Sequence, residues 1–322
     1  MSGRRRLGRS GLEVTPIGLG CWQFAGGRGL TGWFWEDLPQ DAVDAIVRAA
    51  LDGGIDWFDT AEVYGWGRSE RALAHALDAA GRGPADVAVA TKWWPAFRRA
   101  GHIAATIEER RRCLEPYPIA LYQVHQPLSF SSVEAQMDSM ADLVVRRRVG
   151  EVGVSNFSAS WMRRAHAALA RRGIVLASNQ VSYSLIDRRI ERNGILAAAR
   201  ELRVSIIAYS PLAQGLLTGK FHDDPALVRG RRGPRRWMRL FRPRGLERTR
   251  PLVEELRRVG AAHGATAAQV ALRWLTQAHG DVVVAIAGAT RPRHAEEAAG
   301  AMRFTLEPDE MARIDERSRA IQ

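Results

Sequence analysis

A closed α/β barrel, the (β/α)8 arrangement of the TIM type, is the fold class that this sequence predicts. Two observations predict it, and a third removes its main rival. Near-continuous apolar runs alternate with amphipathic helical stretches, the pattern of a parallel sheet covered on its outer face. There are eight such runs, the number that closes this barrel. The rival is an open, doubly wound sheet. It calls for a glycine-rich fingerprint between the first strand and a helix. The glycines of GLGCWQFAGG (18–27) lead into no helical pattern.

The elements follow in order. Residues 5–15 carry LGRSGLEV around a Ser-Gly pair and read as an N-terminal β-hairpin. Strand candidates are 17–20, 55–59, 87–92, 119–125, 149–156, 175–181, 204–210 and 282–288. The first helix, 41–52, places Val43, Ile46, Val47 and Ala50 on one face and stops at Gly53-Gly54. Further helices are expected at 68–80, 104–114, 132–147, 159–171, 192–202, 251–263 and 266–278, with extra C-terminal helix at 307–318. An irregular stretch is expected at about 211–248, and ten arginines fall between 229 and 250.

The chain has 322 residues, 46% of them hydrophobic. One domain, 1–322, is expected, because barrels of this size fold as a unit. The formal net charge is +12, most of the excess arginine. The basic residues are dispersed, so a field for anionic cofactors or substrates is favoured over nucleic-acid binding. Two cysteines without metal spacing argue for no metal site and a reducing cytoplasm. The basic start leads into no apolar h-region, and no run of about 18 apolar residues marks a membrane span.

Polar residues stand where the strands end, the place where barrels carry chemistry. Asp59 ends the second strand, and Tyr64 follows in its loop. Lys92 ends the third, His125 the fourth, Ser155-Asn156 the fifth and Tyr209-Ser210 the seventh, while Asn179-Gln180 lies in the sixth. Taken singly, each has a plainer use. Tyr64 reads as a surface loop tyrosine, Asp59 as a helix cap and His125 as a core histidine. Together they suit carbonyl reduction. Hydride addition leaves charge on oxygen that needs a proton, and a phenol supplies it. A neighbouring lysine is expected to draw the phenol down towards working pH, with the aspartate aiming the lysine and the histidine orienting the carbonyl.

The segments FDTAEVYG (58–65), ATKWW (90–94), YQVHQP (122–127), GVSNF (153–157), NQVSYS (179–184), AYSPLAQGLLTGK (208–220) and AIAGATRPRHAEEAAGA (285–301) closely resemble the aldo-keto reductase superfamily. The resemblance spans about residues 5–305, and SPLAQGLLTGK also resembles relatives that serve as potassium-channel β-subunits. It implies NADPH, with NADH the alternative, bound across the mouth of the barrel. It makes Asp59, Tyr64, Lys92 and His125 a catalytic tetrad. Ser155, Asn156 and Gln180 match positions that hold the nicotinamide amide, and Tyr209 matches the ring stacked on it. Ser210, Leu212 and Lys220 match pyrophosphate contacts. Gly288, Thr290, His294 and Glu297 match the adenosine end. Trp22, Trp93 and Gln126 are expected to line the substrate pocket.

The sequence departs from the family pattern in three places. Ala298 stands where Asn is usual, His294 where Gln or Arg is usual, and Gln126 where many relatives carry Trp. Arg291 and Arg293 offer charge for a 2′-phosphate. The leading expectation is an NADPH-dependent reductase of a small carbonyl compound. A cofactor-binding redox sensor or scaffold is the second reading, and a polyanion binder through the arginine-rich segment is the third. Substrate and oligomeric state are not legible.

Overall fold

The computed structural model describes residues 3–26, 36–230 and 237–322. Residues 231–236 of the arginine-rich segment lie outside the described residues. The hairpin is present as β1 (Arg5–Arg6) paired antiparallel with β2 (Glu13–Val14). Eight parallel strands then close into a barrel. They are β3 (Ile17–Gly20), β4 (Trp57–Asp59), β5 (Ala88–Trp93), β6 (Ile119–Val124), β7 (Glu151–Ser155), β8 (Leu176–Ser182), β9 (Ser205–Tyr209) and β10 (Val283–Gly288). Neighbours pair in chain order, and β10 closes against β3. The fold is a (β/α)8 TIM barrel with an N-terminal hairpin and C-terminal helices.

The helices on its outside are α1 (Gln40–Asp52), α2 (Arg68–Ala79), α3 (Gly101–Leu114), α4 (Val133–Val145), α5 (Ala159–Ala170) and α6 (Ile195–Leu202). They continue with the short α7 (Lys220–Asp223), then α8 (Pro243–His263), α9 (Ala267–Gln277), α10 (Pro292–Gly300) and α11 (Pro308–Arg319). None of the described helices is long and apolar enough to cross a membrane.

The period of two along each strand splits the core. Ala90, Leu121, Ile207 and Val284 fill the barrel's interior with Trp57, and Leu7 and Val14 of the hairpin pack beneath them. Gly18 makes room for Trp57: a Cβ there would come within 2.3 Å of the indole. The hairpin is fastened to the strand starts by Arg5, which donates to Val283 O at 2.6 Å, and by Gly8 N–H, which donates to Ser205 Oγ at 2.7 Å. The alternate strand residues, Val89, Val124, Val152 and Ile206 among them, face the helices in the larger outer core. One end of the barrel is thus plugged, and the C-terminal ends of the strands form the open mouth.

Two stretches depart from the sequence expectation. The irregular stretch is shorter than 211–248, because α8 begins at Pro243 and runs through Pro251. Proline inside a helix loses one hydrogen bond. Here Leu246, Thr249, Leu252, Val253 and Leu256 bury one face of α8, and that packing outweighs the loss. The segment after β10 is also helical, as α10, with Pro292 at its first turn. Proline is well placed there because the first turn needs no N–H donor.

Candidate active site

The sequence-predicted tetrad meets at the mouth. Asp59 ends β4, Lys92 is the penultimate residue of β5, and His125 follows β6. Strand pairing puts Lys92 opposite Gln123 and Ser155 opposite Gln180, so inward-facing polar groups share one layer above the apolar interior. Lys92 Nζ donates to Asp59 Oδ1 and, at 2.8 Å, to Thr60 O. The other carboxylate oxygen accepts from Gln123 Nε2 at 3.0 Å and Gln180 Nε2 at 2.9 Å. A buried carboxylate is costly unless its oxygens are satisfied, and here three donors, one of them charged, hold one acid. Gly153 leaves room for Gln123, since a Cβ there would lie 3.0 Å from Gln123 Cγ.

Tyr64 lies in the loop after β4. Its ring centre is 5.2 Å from Lys92 Nζ and 5.6 Å from the His125 ring, at an interplanar angle of 82°. The Trp22 ring stacks on it at 6.1 Å. The phenol does not follow the sequence expectation for its acidity. Burial raises it well above the usual phenol range, and the negative field of Asp59 raises it further. Lys92 is close to the ring, but its charge is already paired with Asp59. The Tyr64 hydroxyl is therefore held protonated and not partly ionised. Burial, with Lys92 second, holds the His125 imidazole well below its usual range, so the ring is neutral. His125 Nδ1 has no hydrogen-bond partner among the described residues.

The residues expected to hold the nicotinamide are wired to this centre. Ser155 Oγ donates to Gln180 O at 2.9 Å and accepts from Asn156 Nδ2 at 3.0 Å. Tyr209 Oη donates to Asn156 Oδ1 at 3.0 Å, and Asn156 Nδ2 reaches His125 O at 3.3 Å. Gln180 differs from expectation in part, because its amide donates to Asp59. After β9, Ser210 (φ 53), Ala213 (φ 46) and Gln214 (φ 57) adopt left-handed backbone, a strained loop of the kind found at ligand clamps. Leu212 sits half-buried within it, and Lys220 opens α7 just beyond.

At the far end, Gly288 closes β10, and a Cβ there would lie 2.3 Å from Gln23 Nε2. The Gln23 side chain is buried, and its Oε1 has no partner among the described residues. His294 lies in the first turn of α10, where its Nδ1 is 3.3 Å from both Thr290 N and Thr290 Oγ1. Burial lowers its imidazole to about 4, helped by the positive fields of Lys220, Arg293 and Arg291. Those three cations thus act together on His294 in the first turn of α10. Glu297 does something different. It accepts a 2.5 Å hydrogen bond from Thr266 Oγ1, the residue that caps α9. Ala298 is buried.

Trp22 and Gln126, expected in the substrate pocket, are both half-buried at the mouth. Trp93 is not at the mouth. It is fully buried in the outer core, because Lys92 points inward and the next residue must point out. Trp94 takes the place expected of Trp93, with its ring 5.4 Å from His125. Its backbone N–H donates to Glu62 Oε2 at 3.0 Å. Sequence reading missed Gln123, Gln23, Glu62 and Trp94. The signal for Gln123 is a lone amide inside the apolar run IALYQV. Strand parity from Lys92 is the signal for Trp94. Among the described residues, no cluster of histidine, cysteine and acidic side chains could hold a metal ion.

Residues 16–319 match the Aldo/keto reductase family. The chain belongs to that family. Membership makes it an oxidoreductase. Among its relatives is an uncharacterized oxidoreductase of Mycobacterium tuberculosis, 40% identical over 283 residues, covering 86% of this chain and 81% of that one. A probable aldo-keto reductase of Glycine max is 29% identical, covering 97% of this chain and 87% of that one. Solved family structures superpose on it. The glycerol dehydrogenase of Gluconobacter oxydans does so with a TM-score of 0.83 and 26% identity, over 98% of this chain and 95% of that one. A thermostable aldo-keto reductase solved with the inhibitor epalrestat gives 0.76 and 26%, over 98% of this chain and 99% of that one.

Proposed function

We propose that the protein reduces an aldehyde or ketone to the alcohol, or runs the reverse reaction, with a nicotinamide cofactor and Tyr64 as proton donor. One observation carries the reading: a protonated phenol, a neutral imidazole and a buried Lys92–Asp59 pair converge at the mouth of the barrel. A bound nicotinamide supplies the hydride. The rest of the chemistry falls to side chains.

The substrate oxygen sits between Tyr64 and His125. The neutral imidazole can donate one hydrogen bond to it without charging the site. As the carbonyl carbon gains hydride, its oxygen takes the phenolic proton, and an alcohol and a phenolate result. The Lys92 ammonium steadies that phenolate, and Asp59 and Thr60 keep the ammonium aimed. Tyr64 then recovers a proton from solvent. In the oxidative direction the same groups act in reverse order.

The residues present fit an NADP-type cofactor. Gly288 leaves a cradle that a side chain would fill, and Gln23 offers beside it a buried acceptor with no partner among the described residues. Ser155, Asn156, Gln180 and Tyr209 would hold the nicotinamide end. Ser210, Leu212 and Lys220 would hold the pyrophosphate, and Gly288, Thr290, His294 and Glu297 the adenosine end. Lys220, Arg291 and Arg293 suit an additional phosphate, which favours NADPH over NADH. Glu297, engaged with Thr266, is the weakest of these contacts.

The test is a carbonyl panel followed by NADPH and then NADH absorbance, with Tyr64→Phe alongside. Turnover falls by about 10²–10⁴-fold in the variant while cofactor affinity persists. Undiminished turnover with Tyr64→Phe would remove Tyr64 from its role. Cofactor binding without turnover of any carbonyl or alcohol favours the sensor or scaffold reading instead.

A further inference from the structure

The mouth does not end at the catalytic groups. Beyond Tyr64 and Trp94 lie four exposed apolar side chains: Trp66 (56% exposed), Phe97 (87%), Leu128 (70%) and Phe130 (68%). They come from the loops after β4, β5 and β6, the strands that supply the tetrad. Large apolar residues left in water at one place mark a binding surface.

This surface is built and held. The Phe97 and Phe130 rings meet edge to face at 6.2 Å. Their loops are stitched together: Phe130 N–H and Ser129 Oγ both donate to Arg98 O at 2.9 Å, and Ala100 N–H donates to Ser131 Oγ at 3.0 Å. Phe97 itself sits at φ 62, a left-handed conformation that a bulky residue seldom adopts, and it projects the ring into solvent. The Arg98 side chain lies 5.9 Å from the Trp66 ring and pairs with Glu62 at 2.7 Å. Glu62 is buried, and its other oxygen holds the Trp94 backbone. One carboxylate thus ties the rim to Trp94, whose ring meets His125 edge to face.

We propose that this rim is the outer subsite for substrate, and that it takes an uncharged carbonyl compound with a long or bulky apolar body. The proposal rests on the reductase reading above. Two features select that occupant. The surface adjoins the mouth through Glu62, which holds both Arg98 beside the Trp66 ring and the backbone of Trp94, whose ring packs on His125. Arg98, the cation beside the Trp66 ring, is neutralised by Glu62, so it offers the rim apolar contact and no anchor for an anionic body.

The experiment compares kcat/KM across unbranched aldehydes from propanal to dodecanal for the wild type and for the double variant Phe97→Ser with Phe130→Ser. Binding of 1-dodecanol, with cofactor present, is measured on both by calorimetry. In the wild type, kcat/KM rises roughly two- to fourfold per methylene over the lengths that reach the rim. In the variant it is flat over those lengths, propanal is unchanged, and dodecanol binds at least tenfold more weakly. Phe97→Leu with Phe130→Leu restores most of the rise. Equal slopes and equal dodecanol affinity in wild type and variant overturn the proposal. So does a fall in oligomeric mass of the variant with its chain-length profile unaltered, which assigns the surface to a second copy of this chain. If no aldehyde turns over but dodecanol binding still depends on the two rings, the reductase reading fails and the apolar subsite stands.

Discussion

Two buried ion pairs lie on opposite faces of β5, one residue apart. Lys92 points into the barrel and meets Asp59. Thr91 points outward and donates at 2.6 Å to Glu70, which pairs with Arg110 at 2.7 Å between the barrel and its helices. All four charged groups are essentially inaccessible. The inner acid is fully dressed, with both oxygens engaged by a lysine and two amides. The outer pair is sealed in less complete company: Arg110 Nε has no partner among the described residues, and the arginine's second carboxylate, Glu109, is largely exposed. Burial pushes the Glu70 carboxyl up to about 7, although Arg110 opposes the rise. The contrast separates two uses of a buried charge. The inner pair faces the mouth and holds a charge ready beside Tyr64. The outer pair joins α2 and α3 to the barrel wall.

The strongest way to break this comparison is to remove the inner cation. Lys92→Met leaves Asp59 buried without its counter-charge. Stability falls by about 3–5 kcal/mol, the usual result of deleting one partner of a buried pair. Turnover falls by at least about a hundredfold. Urea unfolding and steady-state kinetics read the two effects separately. A variant that keeps its turnover would show the inner pair to be only structural.

Glu70→Gln tests the outer pair. The raised carboxyl binds its proton more readily in the folded than in the unfolded chain. Its ionisation therefore costs stability as pH rises from about 4.5 to about 7. The stability of the wild type relative to Glu70→Gln should decline over that window, by up to about 3 kcal/mol. kcat/KM should stay close to wild type. If the difference grows with rising pH, Glu70 is ionised at low pH, and the two pairs are more alike than the geometry indicates.

A smaller effect concerns the pH profile. His125 is held neutral, so its protonation should leave no acid limb in kcat/KM between about pH 6 and 8. A limb there that disappears in His125→Gln would contradict the assignment. The smallest effect lies at α10. An anion bound among Lys220, Arg291 and Arg293 offsets the fields that help to depress His294. Its imidazole should then titrate above about 4 when NADPH is added, as followed by NMR. An unmoved titration would place the extra phosphate elsewhere.

The sequence by itself determined the alternation of strand and helix, the closure into eight strands and the identity of the polar residues at the strand ends. Each follows from local periodicity, which needs no knowledge of distant neighbours. Asp59, Lys92 and His125 are legible for that reason, and Tyr64 through its nearness to Asp59. Trp93 and Trp94 were also separable by parity once Lys92 was taken to face inward. Only the tertiary structure decided what lies across the barrel. Gln180 and Gln123 converge on Asp59 from strands far apart in sequence, and Glu297 turns to Thr266. The acidity of Tyr64 belongs to the same class. A lysine nearby in sequence logic lowers a phenol, but a lysine already paired within a buried site does not. Field and burial are sums over all neighbours, and those sums exist only after the chain has closed.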